Sequence, residues 1–221
     1  MTVRQIMSEY DAMLANGSAP GDIENFLTSS CASYDTEHPG DLTGRSALYN
    51  ELGGFYRHNN MLDKGERAFL NARGLIEESG HTDSADYATT LNNLAGLYRM
   101  KKQFDEAIEL FFAARELYSK HSEVPPQLAA SRGNNLGLVY LDLGRYEDAL
   151  SEFRDSLKMM EGVQGSDYEH AATYGNIYAA LAGLGRRGEA VAALRLGAET
   201  AKKCDPGLYD VYSRMLGEVE E

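Results

Sequence analysis

The chain lacks tryptophan, has only two cysteines, and contains no long hydrophobic run among its 221 residues. A membrane helix needs roughly 18 consecutive apolar residues, so we expect no membrane partner. Cys31 and Cys204 lie far apart and have no companion at metal-ligand spacing. A disulfide framework would need more cysteines, and we therefore interpret both thiols as reduced.

Positive charge is also scarce. Lysine and arginine total 21 against 34 aspartates and glutamates, which gives a formal net charge of −13. Binding to phosphate backbones needs clustered cations, so we expect no nucleic-acid partner and no docking on anionic lipid. Residues 1–14 lack the basic start and apolar block of a secretory signal, which favours a cytoplasmic location.

The residue patterns of the common catalytic and metal sites are missing as well. No two histidines lie at i+3 or i+4, and no serine lies in a Gly-x-Ser-x-Gly motif. Acidic pairs are abundant, but on an acidic helical surface they are usually solvated. We therefore predict no catalytic residue, no metal and no cofactor. The histidines are His38, His58, His81, His121 and His170.

The stretch from residue 91 to residue 111 is typical of two short amphipathic helices joined by a polar turn. Leu91, Leu94 and Tyr98 lie at i, i+3 and i+7 and so share one helical face. Phe104 and Phe111 belong to a second apolar stripe at helical spacing. Such a hairpin cannot bury both stripes alone, and it therefore needs neighbours of its own kind.

Those neighbours recur at a shift of about 42 residues. Asn93 has counterparts at Asn135 and Asn176, and Phe104 has one at Tyr146. Four copies at a nearly constant period indicate a solenoid rather than one globular core.

We predict an all-α protein, an α-solenoid of antiparallel helix hairpins with about 10–11 helices, as a single array over 1–221. Its parts are an atypical N-terminal helix pair at 1–40, repeats at 42–79, 84–120, 127–163 and 168–203, and a terminal helix at 206–221. The paired prolines predict that the connector at 121–126 is not helical throughout.

Small residues recur inside the predicted helices. Gly53, Ala95 and Gly137 occupy matching places in the first helix of their hairpins. A glycine in a helix costs about 1 kcal/mol relative to alanine, so we expect close helix packing as the compensation.

The segments LNNLAGLY…FDEAIELF and NNLGLVYLDLGRYEDALSEF resemble tetratricopeptide repeats. The period of about 42 and the NNLA core look most like the repeats of the kinesin light chain type, and the likeness covers about 42–203. The layout also resembles small bacterial tetratricopeptide proteins of unassigned function. The resemblance implies a right-handed superhelix that binds a protein or peptide, with the first helix of each hairpin lining a concave face.

In that family an asparagine on the first helix grips peptide backbone. The matching residues here are Asn93, Asn135 and Asn176, and Glu51 takes this place in the first repeat. The asparagine side chain offers two donor hydrogens and one acceptor oxygen. A row of asparagines can therefore hydrogen-bond an extended peptide backbone from the side.

Further candidates lie on the same helices. They are a second row of asparagines, one residue before the first row in each repeat, and two arginines that could bind a carboxylate through two hydrogen bonds. An alternative role for the asparagines is structural, in hydrogen bonds to the neighbouring helix. The additional candidates are Asn50, Asn92, Asn134, Arg57 and Arg99.

These patterns favour a non-enzymatic scaffold that binds an extended peptide or a partner helix in the concave groove. A ligand-sensing regulatory module of the peptide-signal receptor kind is one alternative. Self-association is another, because Tyr209, Tyr212, Leu216 and Val219 would leave the last helix apolar and exposed, making a homodimer through the array ends possible.

Overall fold

The computed structural model describes residues 1–121 and 125–220. Within these residues the chain forms eleven α-helices and no strand, which confirms the predicted all-α class of helix hairpins. Residues 122–124, which carry part of the predicted connector, lie outside the described residues, as does residue 221.

The chain divides into two compact units, residues 1–121 and 122–221. The first unit contains α1 (Val3–Ala15), α2 (Pro20–Glu37), α3 (Leu42–His58), α4 (Leu62–Glu78), α5 (Ala85–Met100) and α6 (Phe104–Lys120). The second contains α7 (Pro126–Asp142), α8 (Tyr146–Met159), α9 (Asp167–Gly183), α10 (Arg187–Cys204) and α11 (Pro206–Glu220).

Helix ends follow from local chemistry. The Asp41 side chain caps α3 by accepting the backbone N–H of Gly44 at 2.9 Å, and it also accepts the Tyr34 hydroxyl at 2.6 Å. Both hydrogen bonds hold the pKa of Asp41 below its usual range, the tyrosine contributing most. Gly80 follows α4 with φ of +75°, the left-handed conformation that ends a helix most easily at glycine.

Each hairpin closes where a small residue faces a phenylalanine. A β-carbon on Gly53 would lie 2.6 Å from Cδ1 of Phe69, and one on Gly137 would lie 2.5 Å from Cε1 of Phe153. Both phenylalanines are completely buried. The expected close approach of the two helices is thereby confirmed for α3 with α4 and for α7 with α8.

Successive hairpins of the first unit are joined by packing and by ion pairs. Gly65 on α4 leaves room for the Leu97 side chain of α5, which would lie 2.7 Å from a β-carbon there. Lys101 pairs with Asp63 at 2.9 Å and with Glu66 at 2.5 Å. One hairpin earlier, Lys64 pairs with Glu24 of α2 at 2.6 Å.

The final helix, α11, packs against α9 and α10 within the second unit, with Tyr212 at the centre of the contact and Leu208 and Leu216 beside it. Tyr212 is 6% exposed, donates its hydroxyl to the Ala171 carbonyl at 3.1 Å, and fills the space above Gly175 and Gly197. The expectation that Tyr212 is exposed is therefore wrong, because two glycines make room for its ring. Tyr209, Leu216 and Val219 are partly buried. Val211 is the large hydrophobic residue of α11 that is exposed, at 38%.

Candidate functional site

The predicted ligand contacts lie on the first helices of the hairpins. On α3, Asn50, Gly54 and Arg57 lie at i, i+4 and i+7, so they occupy one face. On α5, Asn93 and Gly96 lie one turn apart. We call this set of five residues the α3/α5 polar face.

Asparagines from the two rows bond to each other across neighbouring first helices. Asn93 donates its side-chain Nδ2 to Oδ1 of Asn50, 3.3 Å away, and so joins α5 to α3. In the second unit Asn176 donates in the same way to Asn134 at 3.0 Å, joining α9 to α7. The residues therefore pair laterally, as the structural alternative anticipated.

These amides still have unused hydrogen-bonding capacity. Asn93 and Asn176 each use one of two side-chain donor hydrogens in these bonds, and all four paired asparagines are only partly buried. The lateral bond fixes the amide orientation while leaving a donor and an acceptor for another group. A ligand would meet an amide that is already ordered.

The remaining two asparagines differ from this pattern. Asn92 is only 7% exposed, and its Oδ1 is buried with no hydrogen-bond partner among the described residues. Asn135 is partly buried, and its side chain makes no hydrogen bond within the described part of the chain. Asn135 is therefore the asparagine of the first row with the most free capacity.

The two candidate arginines also differ. Arg99 already interacts with another group of the protein. Arg57 has no hydrogen bond or ion pair from its side chain to any described residue, although it is partly buried. Burial lowers the pKa of Arg57, and no carboxylate among the described residues counteracts this effect.

Glu51 holds the place of the asparagine in the first hairpin, and its side chain is exposed to solvent beside Asp11. Desolvation raises the pKa of the Glu51 carboxyl, and the nearby Asp11 carboxylate raises it further.

Two cavities in the described part of the chain lie away from the candidate asparagines. One of about 530 Å³ opens between α1 and α2 against Ile6, Phe26 and Tyr34. Another of about 550 Å³ lies against Arg187 and Arg195 of α10. Neither of these two cavities includes a candidate asparagine.

The part of the chain that the structure describes holds no group of three metal-ligating side chains. No described helix is long and apolar enough to cross a membrane.

Two glycines of the polar face were not recognised as site residues from the sequence. A β-carbon on Gly54 would meet nothing within 4 Å, so this position is open. A β-carbon on Gly96 would lie 2.7 Å from Nη1 of Arg57, so the guanidinium rests directly over α5. The repeat offers one signal, because a shift of 42 carries Gly54 to Gly96.

The tetratricopeptide repeat family model matches residues 44–120 and 127–203. The chain belongs to the tetratricopeptide repeat family. Arrays of this family are in general protein-interaction scaffolds, and the family is generally non-catalytic. No curated protein matches the chain in sequence.

Solved structures show the same fold at low sequence identity. BtubC (BKLC) from P. vanneervenii is 20% identical with a TM-score of 0.78, covering 92% of this chain and 81% of that one. A Podosopora anserina protein with kinesin light chain nearly identical TPR-like repeats is 19% identical with a TM-score of 0.67, over 92% and 97%. The predicted kinesin light chain resemblance is thus confirmed at the level of fold.

A Rap protein complexed with Competence and Sporulation Factor is 17% identical with a TM-score of 0.71. The match covers 90% of this chain but 53% of that protein, so the chain spans about half of its length.

Proposed function

We propose that the chain is a non-enzymatic scaffold that binds an extended peptide or a partner helix along the first-helix faces of its repeats. The observation that carries the proposal is the lateral pairing of asparagines. Asn93 with Asn50, and Asn176 with Asn134, form matching inter-helix bonds in the two units. Each pair presents ordered, partly exposed amides at the same place in its repeat.

Peptide backbone is the chemical group that such amides fit best. An extended segment offers an N–H and a C=O at every residue, and an asparagine side chain can satisfy both. Recognition of this kind holds the ligand by its main chain, while side-chain contacts add specificity. The rigid repeats keep the cost of ordering the protein low.

Selection from a phage-displayed library of short random peptides tests the proposal. The wild-type chain is expected to enrich peptides whose binding is then measured by fluorescence anisotropy. Asn135→Ala is the cleanest variant, because its side chain makes no hydrogen bond within the described residues and its loss breaks no inter-helix bond. We expect it to weaken binding by about tenfold, the effect of one lost hydrogen bond.

Asn176→Ala is the matched comparison, since it removes both an amide and the bond to Asn134. It is expected to lower thermal stability as well as affinity, whereas Asn135→Ala should lower affinity alone. A library that yields no enriched peptide, or peptides whose affinity Asn135→Ala leaves unchanged, would overturn the proposed groove.

A ligand-sensing regulatory module is the second candidate. The likeness to the Rap protein complexed with Competence and Sporulation Factor supports it. Small-angle scattering of the chain with and without a selected peptide tests this role. A regulator should change its scattering profile when the peptide binds. An unchanged profile would favour the simple scaffold over the regulator.

We propose the cytoplasm as the place of action, because Cys31 and Cys204 are both free thiols, as is usual in a reducing compartment. Recovery of the protein in an extracytoplasmic fraction of its native cells would contradict this location.

A further inference from the structure

Two adjoining cavities lie along α10. The cavity of about 550 Å³ is bounded by Val191 as well as by Arg187 and Arg195. A further cavity of about 400 Å³ lies between α10 and α11 and is lined by Arg195 and Lys202. Because both cavities include Arg195, they form one groove along residues 187–202, which we call the end groove. At 1.5 Å per helical residue this groove is about 22 Å long.

The corresponding place on other second helices is covered by the next hairpin. Val191 matches Leu150 of α8 at a repeat shift of 41, and Leu150, which the α9–α10 hairpin follows, is completely buried. Val191 itself is only partly buried. Two periods before Leu150, Glu66 of α4 is contacted by Lys101 of the next hairpin at 2.5 Å. The end groove is therefore an uncovered copy of a surface that is covered elsewhere in the chain.

Successive second helices meet near their starts through ion pairs of one polarity. Arg186, immediately before α10, pairs with Glu147 of α8 at 3.5 Å. Lys64, at the start of α4, pairs with Glu24 of α2 at 2.6 Å. In both cases the preceding helix supplies the acid and the incoming helix supplies the cation. On α10 Gly188 takes the place of Glu147, so the acid that would receive such a cation is missing.

The end groove carries positive charge instead. Arg187, Arg195 and Lys202 lie at intervals of eight and seven residues, which places them on one side of α10. Glu199 is the one acid among the described residues that line the two cavities. Leu216 of α11 adds apolar surface to the groove. This excess of cations is unusual in a chain that has 34 acidic residues against 21 basic ones.

We propose that the end groove binds an acidic amphipathic helix of a partner protein. The helix takes the place that a following second helix has elsewhere in the chain, parallel to α10, with its apolar stripe on Val191 and Leu216. Its acidic residues lie along the cations of α10, and those of its first turn lie beside Arg187. This site is separate from the asparagine-bearing first-helix faces and goes beyond the function proposed above.

Two features favour acids in the first turn of the bound helix. Negative charge near a helix N-terminus interacts favourably with the helix dipole. Arg187 donates one hydrogen bond to the Val219 carbonyl at the end of α11, 2.6 Å away, which holds its guanidinium at the groove. A guanidinium has five donor hydrogens, so others remain for a carboxylate.

A peptide with the sequence of α6, residues 104–120, is a probe of this chemistry. It has an acidic first turn, with Asp105 and Glu106, and an apolar stripe that includes Phe111. A hydrocarbon staple on its polar side keeps it helical, because short isolated helices are marginal in water. Fluorescence anisotropy measures its binding to the whole chain. A neutral version with Asp105→Asn, Glu106→Gln and Glu109→Gln should bind at least about fivefold more weakly, and salt should weaken only the acidic peptide.

Gly188→Glu restores the acid that α8 has at this place, and a β-carbon at Gly188 would meet nothing within 4 Å. We expect it to weaken the acidic peptide by about fivefold and to leave the neutral peptide unchanged. Gly188→Gln is the matched control, because it has the same shape without the charge. Lys202→Glu should act like Gly188→Glu, whereas Lys203→Glu changes an exposed cation outside the groove and should have little effect.

The outcomes separate this site from the first-helix faces. Asn135→Ala should leave binding of the α6 peptide unchanged. An acidic peptide that does not bind, that binds no better than its neutral version, or that Gly188→Glu leaves unaffected would overturn the proposal.

Sedimentation velocity of the chain alone tests the other occupant of the groove. We expect no self-association. Self-association that Gly188→Glu abolishes and Gly188→Gln retains would assign the groove to a second copy of the chain and overturn the partner helix. Circular dichroism melting of each variant shows whether a loss of binding comes from unfolding.

Discussion

The ring of Phe69 lies directly against the backbone of Gly53, where a β-carbon would be 2.6 Å from Cδ1. The contact joins the two helices of the first full hairpin at its centre, and Phe69 is completely buried there. Packing between a residue without a side chain and a large ring thus brings α3 and α4 close together.

Phe69→Ala should lower the free energy of unfolding by about 3–5 kcal/mol, because it leaves a cavity at a site that is already fully packed. Urea denaturation followed by circular dichroism measures the change. Phe112→Ala is the control, since Phe112 is 39% exposed and its loss should change stability by about 0.5 kcal/mol or less. If both variants lost the same free energy of unfolding, the burial of the Phe69 ring would not contribute to stability more than an exposed ring does.

Gly137→Val should destabilise the second unit by about 1–3 kcal/mol, because its side chain would push the buried ring of Phe153 out of position. Gly74→Val makes the same substitution in an exposed stretch of α4, where a β-carbon meets nothing within 4 Å. Helix propensity predicts a change of about 0.5 kcal/mol or less there. Thermal melting compares the two variants, and similar melting temperatures would contradict the packing argument.

Asp41→Ala should cost about 1–2 kcal/mol near neutral pH, because it removes the cap of α3 and the acceptor for the Tyr34 hydroxyl. The pKa of Asp41 is lowered in the folded state, so its contribution is present above the unfolded value of about 3.9. It should disappear as the pH falls through the folded value. Denaturation of both proteins at neutral and at acid pH measures this, and a difference that persists in strong acid would argue against an ionised cap.

Lys101→Met should lower the denaturation midpoint at low ionic strength and have a smaller effect in high salt. The ammonium bridges Asp63 and Glu66, and screening weakens such exposed pairs. Lys158→Met is a suitable control, because Lys158 is exposed and takes part in no ion pair among the described residues. If salt changed the denaturation midpoints of the two variants by the same amount, the ion pairs of Lys101 would have no role in joining the hairpins.

Glu51→Gln should raise stability near neutral pH. The folded protein raises the pKa of Glu51 through desolvation and Asp11, so the ionised carboxylate is disfavoured there. That penalty is present above the raised pKa and is relieved as the pH falls through it, so the advantage of the glutamine variant should shrink on acidification. Calorimetry over a range of pH measures the gain in stability and its decrease on acidification. A variant that is less stable than wild type at neutral pH would contradict the prediction.

The hairpins could be predicted from the sequence because their signals are local. Leu91, Leu94 and Tyr98 place one apolar face at helical spacing, and the shift of about 42 repeats it. The close packing expected at Gly53 is present, against the ring of Phe69, whereas a β-carbon on the adjacent Gly54 would meet nothing within 4 Å. Adjacent residues of a helix face different directions, and sequence spacing alone does not show which one faces the partner.

The lateral asparagine bonds could not be predicted from the sequence. Asn93 and Asn50 lie 43 residues apart, and their meeting depends on how far α5 is displaced along α3. The repeat spacing identified both asparagine rows. From the sequence we interpreted each row as a separate set of ligand contacts, and not as partners that bond to each other. Arg57 and Gly96 likewise meet only through the packing of two helices. The period of 42 relates Gly96 to Gly54, but it does not show that a guanidinium lies over Gly96.

The ion pairs between hairpins bear on how such a chain can change in length. Lys101 faces two carboxylates near the start of α4, Asp63 and Glu66. Loss of residues 59–100, one full period, would put Lys101 at the place of Asn59, directly after α3, and the preceding helix α2 carries Asp22 and Glu24 near its start. We therefore expect Lys101 to have carboxylates on the preceding hairpin even when a whole repeat of the first unit is removed.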